Sequence, residues 1–209
     1  MSTISSVYDP LGIAAPFLLV GKSILQDLCR TKSSWDEEIG DEYRVCWENW
    51  KSQLPALERF SMERCLKPVD FGTVVSRQIH NVSDASSMGY GRVTYLRIEN
   101  EKGDIHCAFL MGKAGVAPIK TMTIPRLELT AATVSVRVGE MIARELDEPA
   151  ESKTYWTDGA TVLKYIRNDK KRFHMFVANR VQTIRNATNP NQWRYIRPTL
   201  IRLMTRHVV

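Results

Sequence analysis

The sequence lacks the features that mark a membrane protein or a cysteine-based metal protein. Its four cysteines form no C-x-x-C pair, and none stands at metal-ligand spacing from a histidine. We therefore expect reduced, buried thiols in an intracellular protein. The longest apolar run, LGIAAPFLLVG at 11–21, is too short to cross a bilayer and contains Pro16. No basic segment precedes this run and no small-residue cleavage site follows it, so we expect neither a membrane span nor a signal peptide.

The overall composition is that of an ordinary soluble globular chain. Hydrophobic residues make up 44% and charged residues 25% of the 209 positions, which excludes a largely disordered chain. This length accommodates one ordinary domain, or one domain with a helical appendage, and either can bury a hydrophobic core.

Acidic residues are scarce in the last quarter of the chain. Between Leu163 and Val209 there are eleven Lys or Arg and a single acid, Asp169, a net charge of +10. Because the whole chain carries +6, the remainder carries −4. A basic segment on a nearly neutral body suits a polyanionic partner such as nucleic acid, although a solvated basic helix face has the same composition.

The first third of the sequence has helical periodicity. Pro16 is a suitable first-turn residue for a helix over 16–30, with leucines and isoleucines on one face. Asp36 is a candidate cap for a second helix over 36–57, in which Trp47 and Trp50 recur at helical spacing as expected core residues.

After Pro68 and Gly72 the pattern changes to strands and then to alternating helices and strands. Three strand-like runs in succession, the last two joined by a turn at Gly103, predict an antiparallel meander. We expect strands at 74–86, 90–100, 104–116, 153–158 and 192–196, and helices at 123–147, 159–168 and 173–188. The predicted fold class is therefore α/β, a mixed sheet with flanking helices.

Three acids stand in apolar or small-residue surroundings at the ends of predicted elements. Asp84 ends the first strand, Glu128 lies early in the long helix, and Asp158 ends the fourth strand. Carboxylates gathered at one place repel one another unless a cation binds them. Mg²⁺ prefers carboxylate oxygens, and two such ions activate water for phosphodiester hydrolysis. Each acid alone also has a structural explanation, as a turn cap or a helix N-terminal acid.

Several stretches resemble the Pol polyprotein of BEL/Pao-type LTR retrotransposons, in the region called the Pao retrotransposon peptidase family. They occur in the family's order and cover nearly the whole chain to about residue 196. The matching stretches are SSVYDPLGIAAPFLLVGKSILQDLCR, WDEEI followed by two spaced tryptophans, SDASSMGYG, TIPRLELTAA, YWTDGATVLKYI, FHMFVANRVQTI and QWRYI.

The resemblance implies a helical connector over 1–65, following a reverse transcriptase polymerase that is missing here, and a ribonuclease H-like domain over 66–209. It implies that Asp84, Glu128 and Asp158 are the first three catalytic acids, binding two Mg²⁺ or Mn²⁺ ions in an intact member. The implied substrate is the RNA strand of an RNA–DNA hybrid. Phosphate contacts are expected from five basic residues: Lys164, Lys170, Lys171, Arg172 and Arg180.

Two other functions remain open at this stage. An aspartic peptidase needs Asp followed by Thr or Ser and then Gly, and neither TDGA nor SDAS has that order. A catalytically inactive nucleic-acid-binding or connector module is the stronger alternative, because the end of the chain departs from the family.

The family's fourth acid is missing from the end of this chain. Residues 197–209 read RPTLIRLMTRHVV, where the family has Asn-Pro-Ala-Asp and then Ala-Ser-Arg-Gly. Suitable codons for 199–209, read one base earlier, restore both motifs. We therefore hypothesise a frameshift near residues 196–198, which leaves the C-terminal end of the domain incomplete. Sequencing the gene and finding no frame with those motifs would contradict it.

Overall fold

A computed structural model of the chain describes residues 2–34, 36–149, 152–170 and 172–201. It contains an N-terminal helical part, a five-stranded sheet and helices packed on that sheet. The helices are α1 Ser2–Ser6, α2 Ala15–Thr31, α3 Asp41–Ser52, α4 Ile124–Glu145, α5 Ala160–Arg167 and α6 Met175–Ala187. The strands are β1 Val74–Ala85, β2 Gly89–Asn100, β3 Ile105–Val116, β4 Lys153–Thr157 and β5 Trp193–Tyr195. No helix in these described segments is long and apolar enough to span a membrane.

The N-terminal helices pack around Trp50. Its side chain is 3% exposed, its ring stacks on Phe17 at 5.2 Å, and its indole Nε1 donates to the Phe17 carbonyl oxygen at 2.9 Å. Trp47 lies 5.0 Å from the same ring, so the prediction that these tryptophans are core residues is confirmed. The predicted start of the second helix at Asp36 is wrong, because α3 begins at Asp41 after Gly40, which has an extended backbone.

The meander predicted from the sequence is present. Strands β1, β2 and β3 are antiparallel neighbours, and Gly103 occupies the β2–β3 turn with a φ of +84°. β4 then pairs with β1 in parallel, and β5 pairs with β4 in parallel. The strand order is β3-β2-β1-β4-β5, which makes the sheet mixed, as expected.

The two faces of the sheet have different chemistry. On the face covered by α4, a buried cluster joins aliphatic strand residues such as Ile79 and Leu96 to helix residues such as Ile142. Side chains alternate along each strand, so the neighbours of these strand residues point to the other face. On that face Val82 and Val93 are buried together with Ile196 and Ile201, the last residue described.

The N-terminal part contacts the sheet through two glycines. Gly112 in β3 donates its N–H to the Leu11 carbonyl oxygen at 2.7 Å, and Gly12 has a φ of +73°. A Cβ at Gly112 would lie 2.6 Å from the Gly12 carbonyl oxygen. The 9–14 loop therefore reaches β3 only because neither residue has a side chain.

We expect Gly112→Ala to destabilise the protein by about 1–3 kcal/mol, because backbone atoms must move apart to admit the methyl group. Urea denaturation followed by circular dichroism measures this change in the free energy of unfolding. Gly40→Ala is the matched control, since nothing lies within 4 Å of a Cβ there. Equal stability of the two variants would contradict the close packing.

The prediction of buried cysteines is wrong. Cys29, Cys46, Cys65 and Cys107 are all exposed and unpaired. Cys29 and Cys46 lie on the outer faces of α2 and α3, where the amphipathic pattern places solvent-facing residues.

Candidate active site

Asp84 and Asp158 lie side by side at the carboxyl-terminal ends of the neighbouring inner strands β1 and β4, which we call one edge of the sheet. Ser83 of β1 is the registered partner of Thr157 of β4, and the two strands are parallel. Asp84 follows Ser83 on β1, and Asp158 follows Thr157 directly after the end of β4. Because neighbouring strands lie about 4.8 Å apart, this register brings the two carboxylates to the same carboxyl end. The Asp84 Oδ1 atom accepts a hydrogen bond from the Ala85 N–H at 2.7 Å.

Glu128 reaches the same edge from α4. The helix begins after Thr123, with Pro125 in its first turn, so Glu128 lies near the helix N-terminus. The Glu128 carboxylate lies against the backbone of Gly159, where an added Cβ would be 2.7 Å from Oε2. Gly159, immediately after Asp158, therefore leaves the space that this carboxylate occupies.

The charges of the acids at the site affect the pKa values of Glu128 and Asp158. Burial raises the pKa of Glu128, and the charges of Asp158 and Asp84 raise it further. Burial also raises the pKa of Asp158, as does the charge of Asp84, while a backbone hydrogen bond of Asp158 opposes the rise. The Asp158 Oδ1 atom is buried and accepts no hydrogen bond from the described residues.

These features fit a divalent cation, although the side chains are not arranged as a cage for one. Among the described residues, no three Asp, Glu, His or Cys side chains form a cluster able to hold a metal ion as they stand. Mutually repelling carboxylates, a buried oxygen without a donor and the space at Gly159 are nevertheless what a hard cation with oxygen ligands would use. Binding of an ion would therefore require the carboxylates to turn toward one another.

Burial of these carboxyls, together with their mutual repulsion, predicts a pH-dependent stability in metal-free buffer. A carboxyl whose folded-state pKa is raised keeps its proton to a higher pH in the folded state than in the unfolded state. The free energy of unfolding therefore falls as pH rises above about 4. We expect this fall to be smaller in Glu128→Gln, which removes one titrating acid. Urea denaturation with a chelator, between pH 4 and 7, measures the difference. Identical pH profiles would contradict the raised pKa of Glu128.

The predicted basic residues that the structure describes are mostly exposed. Lys164 lies on the solvent side of α5, and Lys170 and Arg172 lie in the connection between α5 and α6. Lys171 lies outside the described residues. The neighbouring acid, Asp169, is paired with Arg185 at 2.8 Å, so it does not neutralise these lysines and arginines directly.

Arg180 lies in a cluster that joins α6 to α4. Its guanidinium stacks on the Phe176 ring, with Cζ 3.5 Å from the centroid, and its Nε donates to Thr130 Oγ1 at 3.3 Å. Arg126 lies over the same ring at 5.4 Å. Arg126 of α4 contacts Phe176 of α6, and Thr130, four residues later, contacts Arg180, also four residues later. The contacts advance in the same direction along both helices, so α4 and α6 run parallel there. The N-terminus of α6 therefore lies beside Arg126, two residues from Glu128.

Two site residues were missed in the sequence. Gly159 was predicted only as the first residue of the helix over 159–168, and Arg126 only as part of the helix over 123–147. The basic residue beside TIP in TIPRLELTAA was a visible signal for Arg126. No sequence signal pointed to Gly159, because its role depends on which side chain packs against it.

The order of strands, the helix across one face and the acids at one sheet edge define a ribonuclease H-like domain. A family profile described as the Pao retrotransposon-like RNaseH-like domain matches residues 1–159. The chain belongs to this Pao retrotransposon-like family, as its motifs predicted. A comparison with curated proteins found no match.

Solved structures similar to the chain include ribonuclease H domains and a foamy viral protease-reverse transcriptase. Ribonuclease H1 from Halobacterium salinarum is 10% identical, over 59% of this chain and 88% of its own, with a TM-score of 0.37. The N-terminal ribonuclease H domain of a Mycobacterium tuberculosis protein is 11% identical, over 63% and 90%, with a TM-score of 0.41. A foamy viral protease-reverse transcriptase, solved with dsDNA, is 13% identical, over 94% and 40%, with a TM-score of 0.43.

Proposed function

We propose that this domain catalyses, or derives from one that catalyses, Mg²⁺-dependent hydrolysis of the RNA strand in an RNA–DNA hybrid. The observation that carries the proposal is the meeting of Asp84, Glu128 and Asp158 at one sheet edge. Family membership supports it, because the family is described as RNaseH-like.

The three acids would hold one cation. With the fourth acid present, the site would hold two. Bound Mg²⁺, or Mn²⁺ in its place, would supply activated water and stabilise the departing oxygen. Asp84 and Asp158 would face the scissile phosphate from neighbouring strands. Glu128, in the space beside Gly159, would orient a water molecule and complete the charge of the site.

Basic residues near this edge would bind the phosphates of the hybrid. Arg126 and Arg180 surround Phe176 beside the N-terminus of α6, and no carboxylate of the described segments forms an ion pair with either. Like-charged guanidiniums in one place favour an anion between them. Lys164, Lys170, Lys171 and Arg172 would add contacts, and affinity would fall as salt rises.

A second candidate function is an inactive nucleic-acid-binding or connector module within a Pol polyprotein. One observation favours it: the three acids are not preassembled as a metal cage among the residues that the structure describes. In this case the helices before residue 65 would connect a preceding reverse transcriptase to the sheet domain.

The two functions are separated by one cleavage assay. A labelled RNA–DNA hybrid is incubated with Mg²⁺ and either this chain or a version whose end carries the Asn-Pro-Ala-Asp and Ala-Ser-Arg-Gly motifs. We expect cleavage to rise at least about tenfold with the restored end, because a fourth carboxylate would complete the second metal site. Equal activity would show that the fourth acid is dispensable, and no activity in either would favour the binding module.

A further inference from the structure

The face of the sheet opposite α4 carries aromatic and basic side chains around the buried aliphatic cluster of Val82, Val93, Ile196 and Ile201. We call it the aromatic face. Its members come from four neighbouring strands: His80 and Val82 of β1, Tyr95 and Arg97 of β2, Phe109 of β3 and Trp156 of β4.

The rings of the aromatic face are held in fixed positions. The Trp156 indole Nε1 donates to His80 Nδ1 at 2.9 Å, and the two rings are nearly parallel, 19° apart. Tyr95 and Phe109 meet edge to face at 6.0 Å. Trp156, Tyr95 and Phe109 pack against the cluster of Val82, Val93, Ile196 and Ile201 and are each partly buried, so only the exposed part of each ring is accessible to a planar ligand.

A path of three neighbouring cavities lies along this face, and each cavity shares lining residues with the next. A cavity of about 260 Å³ is lined by Asp84, and it shares Val82 and Phe109 with a second of about 660 Å³. The second shares Trp156 with a third of about 420 Å³, which Arg197 also lines. The path therefore begins at a candidate catalytic acid, and Trp156 lies only two residues, about 7 Å along β4, from Asp158.

Positive charge borders the path at the β5 edge. Arg194 is the registered partner of Trp156, so its side chain leaves the sheet on the same face. Arg194 and Arg197 are exposed, and no carboxylate in the described part of the chain forms an ion pair with them. These cations suit the phosphates of a polyanion that crosses this edge.

We propose that the aromatic face binds a single-stranded nucleic-acid segment that continues from the candidate active site. Its bases would stack on Trp156 and Tyr95, and Arg194 and Arg197 would contact its phosphates. Single strands expose the flat faces of their bases to protein rings, whereas a duplex keeps those faces stacked inside. The inference rests on the proposed function, because it assigns a place to the overhang of the same substrate.

The test compares hybrids with and without a ten-nucleotide single-stranded overhang, by fluorescence anisotropy of the full chain in Ca²⁺ or chelator. We expect the overhang to tighten binding at least about fivefold, since one stacked base has an effect of that order. RNA and DNA overhangs of either polarity are compared. An overhang that adds no affinity, in any of these forms, would overturn the inference.

Trp156 supplies a variant pair that separates stacking from folding. Trp156→Phe and Trp156→Leu both remove the hydrogen bond to His80, but only phenylalanine retains a ring. We expect the overhang's contribution to persist in Trp156→Phe and to vanish in Trp156→Leu, with blunt-hybrid affinity unchanged in both. Loss in both variants, or in neither, would contradict base stacking at this position.

The proposed contacts of Arg194 and Arg197 with phosphates are tested by neutralising both side chains and measuring the salt dependence of binding. In the double variant Arg194→Gln and Arg197→Gln, the slope of log affinity against log salt should fall by roughly one for each phosphate that the protein no longer neutralises. The control removes the same charge elsewhere, by Arg30→Gln and Arg44→Gln on α2 and α3. An equal effect in both double variants would place the overhang away from this face.

Failure of this inference and failure of the proposed function give different results. Hybrid cleavage without an overhang effect would leave the nuclease proposal intact and remove the single-strand site. Overhang binding that depends on Trp156, in a chain that cleaves no hybrid even with the restored end, would retain the site and remove the nuclease.

Discussion

Asp84→Asn is expected to reduce Mg²⁺-dependent hybrid cleavage by more than about 100-fold, measured on the chain with the restored end. Asparagine has nearly the same shape but no charge, so it would remove a proposed metal ligand without leaving a cavity. Asp84 lies at the end of β1 beside Asp158, in the position where a shared cation would be held. Cleavage equal to that of the parent would remove the metal-site proposal.

The same substitution has an expected effect that does not depend on activity. Asp84 contributes to the raised pKa values of Glu128 and Asp158, so its neutralisation relieves repulsion among three carboxylates. In metal-free buffer at pH 7 we expect Asp84→Asn to unfold at a higher temperature than the parent. Addition of Mg²⁺ should then raise the melting temperature of the parent more than that of the variant.

A control shows whether the effect belongs to the site. Asp70→Asn removes an acid from an exposed turn that precedes β1. We expect its cleavage rate to match the parent's and its melting temperature to respond to Mg²⁺ as the parent's does. A Mg²⁺ response that is identical in all three proteins would show that the ion binds elsewhere.

Gly159→Ala is expected to cause the second large loss of activity. The added Cβ would lie 2.7 Å from Glu128 Oε2, and contacts under 3.0 Å force one of the groups to move. The carboxylate would therefore leave the position beside Asp158. Since a misplacement of about 1 Å costs roughly 100-fold in rate, we expect a loss of that order.

A compensating substitution tests the cause. Glu128→Asp shortens the side chain by one methylene, so the double variant Gly159→Ala with Glu128→Asp should recover part of the Mg²⁺ affinity that Gly159→Ala loses. Calorimetric titration with Mg²⁺ and with Mn²⁺ measures the affinity without any need for turnover. If the double variant binds metal more weakly than both single variants, the steric explanation is wrong.

The sequence predicted the secondary structure through local rules that the tertiary structure did not override. Pro16 and Pro125 lie in first helical turns, and Gly103 forms the hairpin turn, because each residue has its backbone preference wherever it is placed. The prediction that a helix begins at Asp36 was wrong because an N-cap requires a particular backbone geometry, which Gly40 provides instead. The division of the chain near residue 65 stays a prediction.

The exposure of the cysteines could not be predicted from the amino-acid composition. A thiol packs well inside a protein, so burial is the usual expectation. Here Cys29 and Cys46 lie on helices, Cys65 precedes β1 and Cys107 lies on β3, and the exposure of each depends on which neighbour covers it. Only the packing of the elements decides that.

The sequence alone determined the family and the fold class, because motifs and hydrophobic periods are local properties of the chain, and the catalytic role of the three acids stays a prediction. The tertiary structure decided that β1 and β4 are parallel neighbours, which places Asp84 beside Asp158 although two strands and the long helix α4 separate them along the chain. It also decided that Gly159 makes room for Glu128 and that aromatic rings from four strands share one face. Contacts between distant segments depend on strand register and helix packing, which no local pattern specifies.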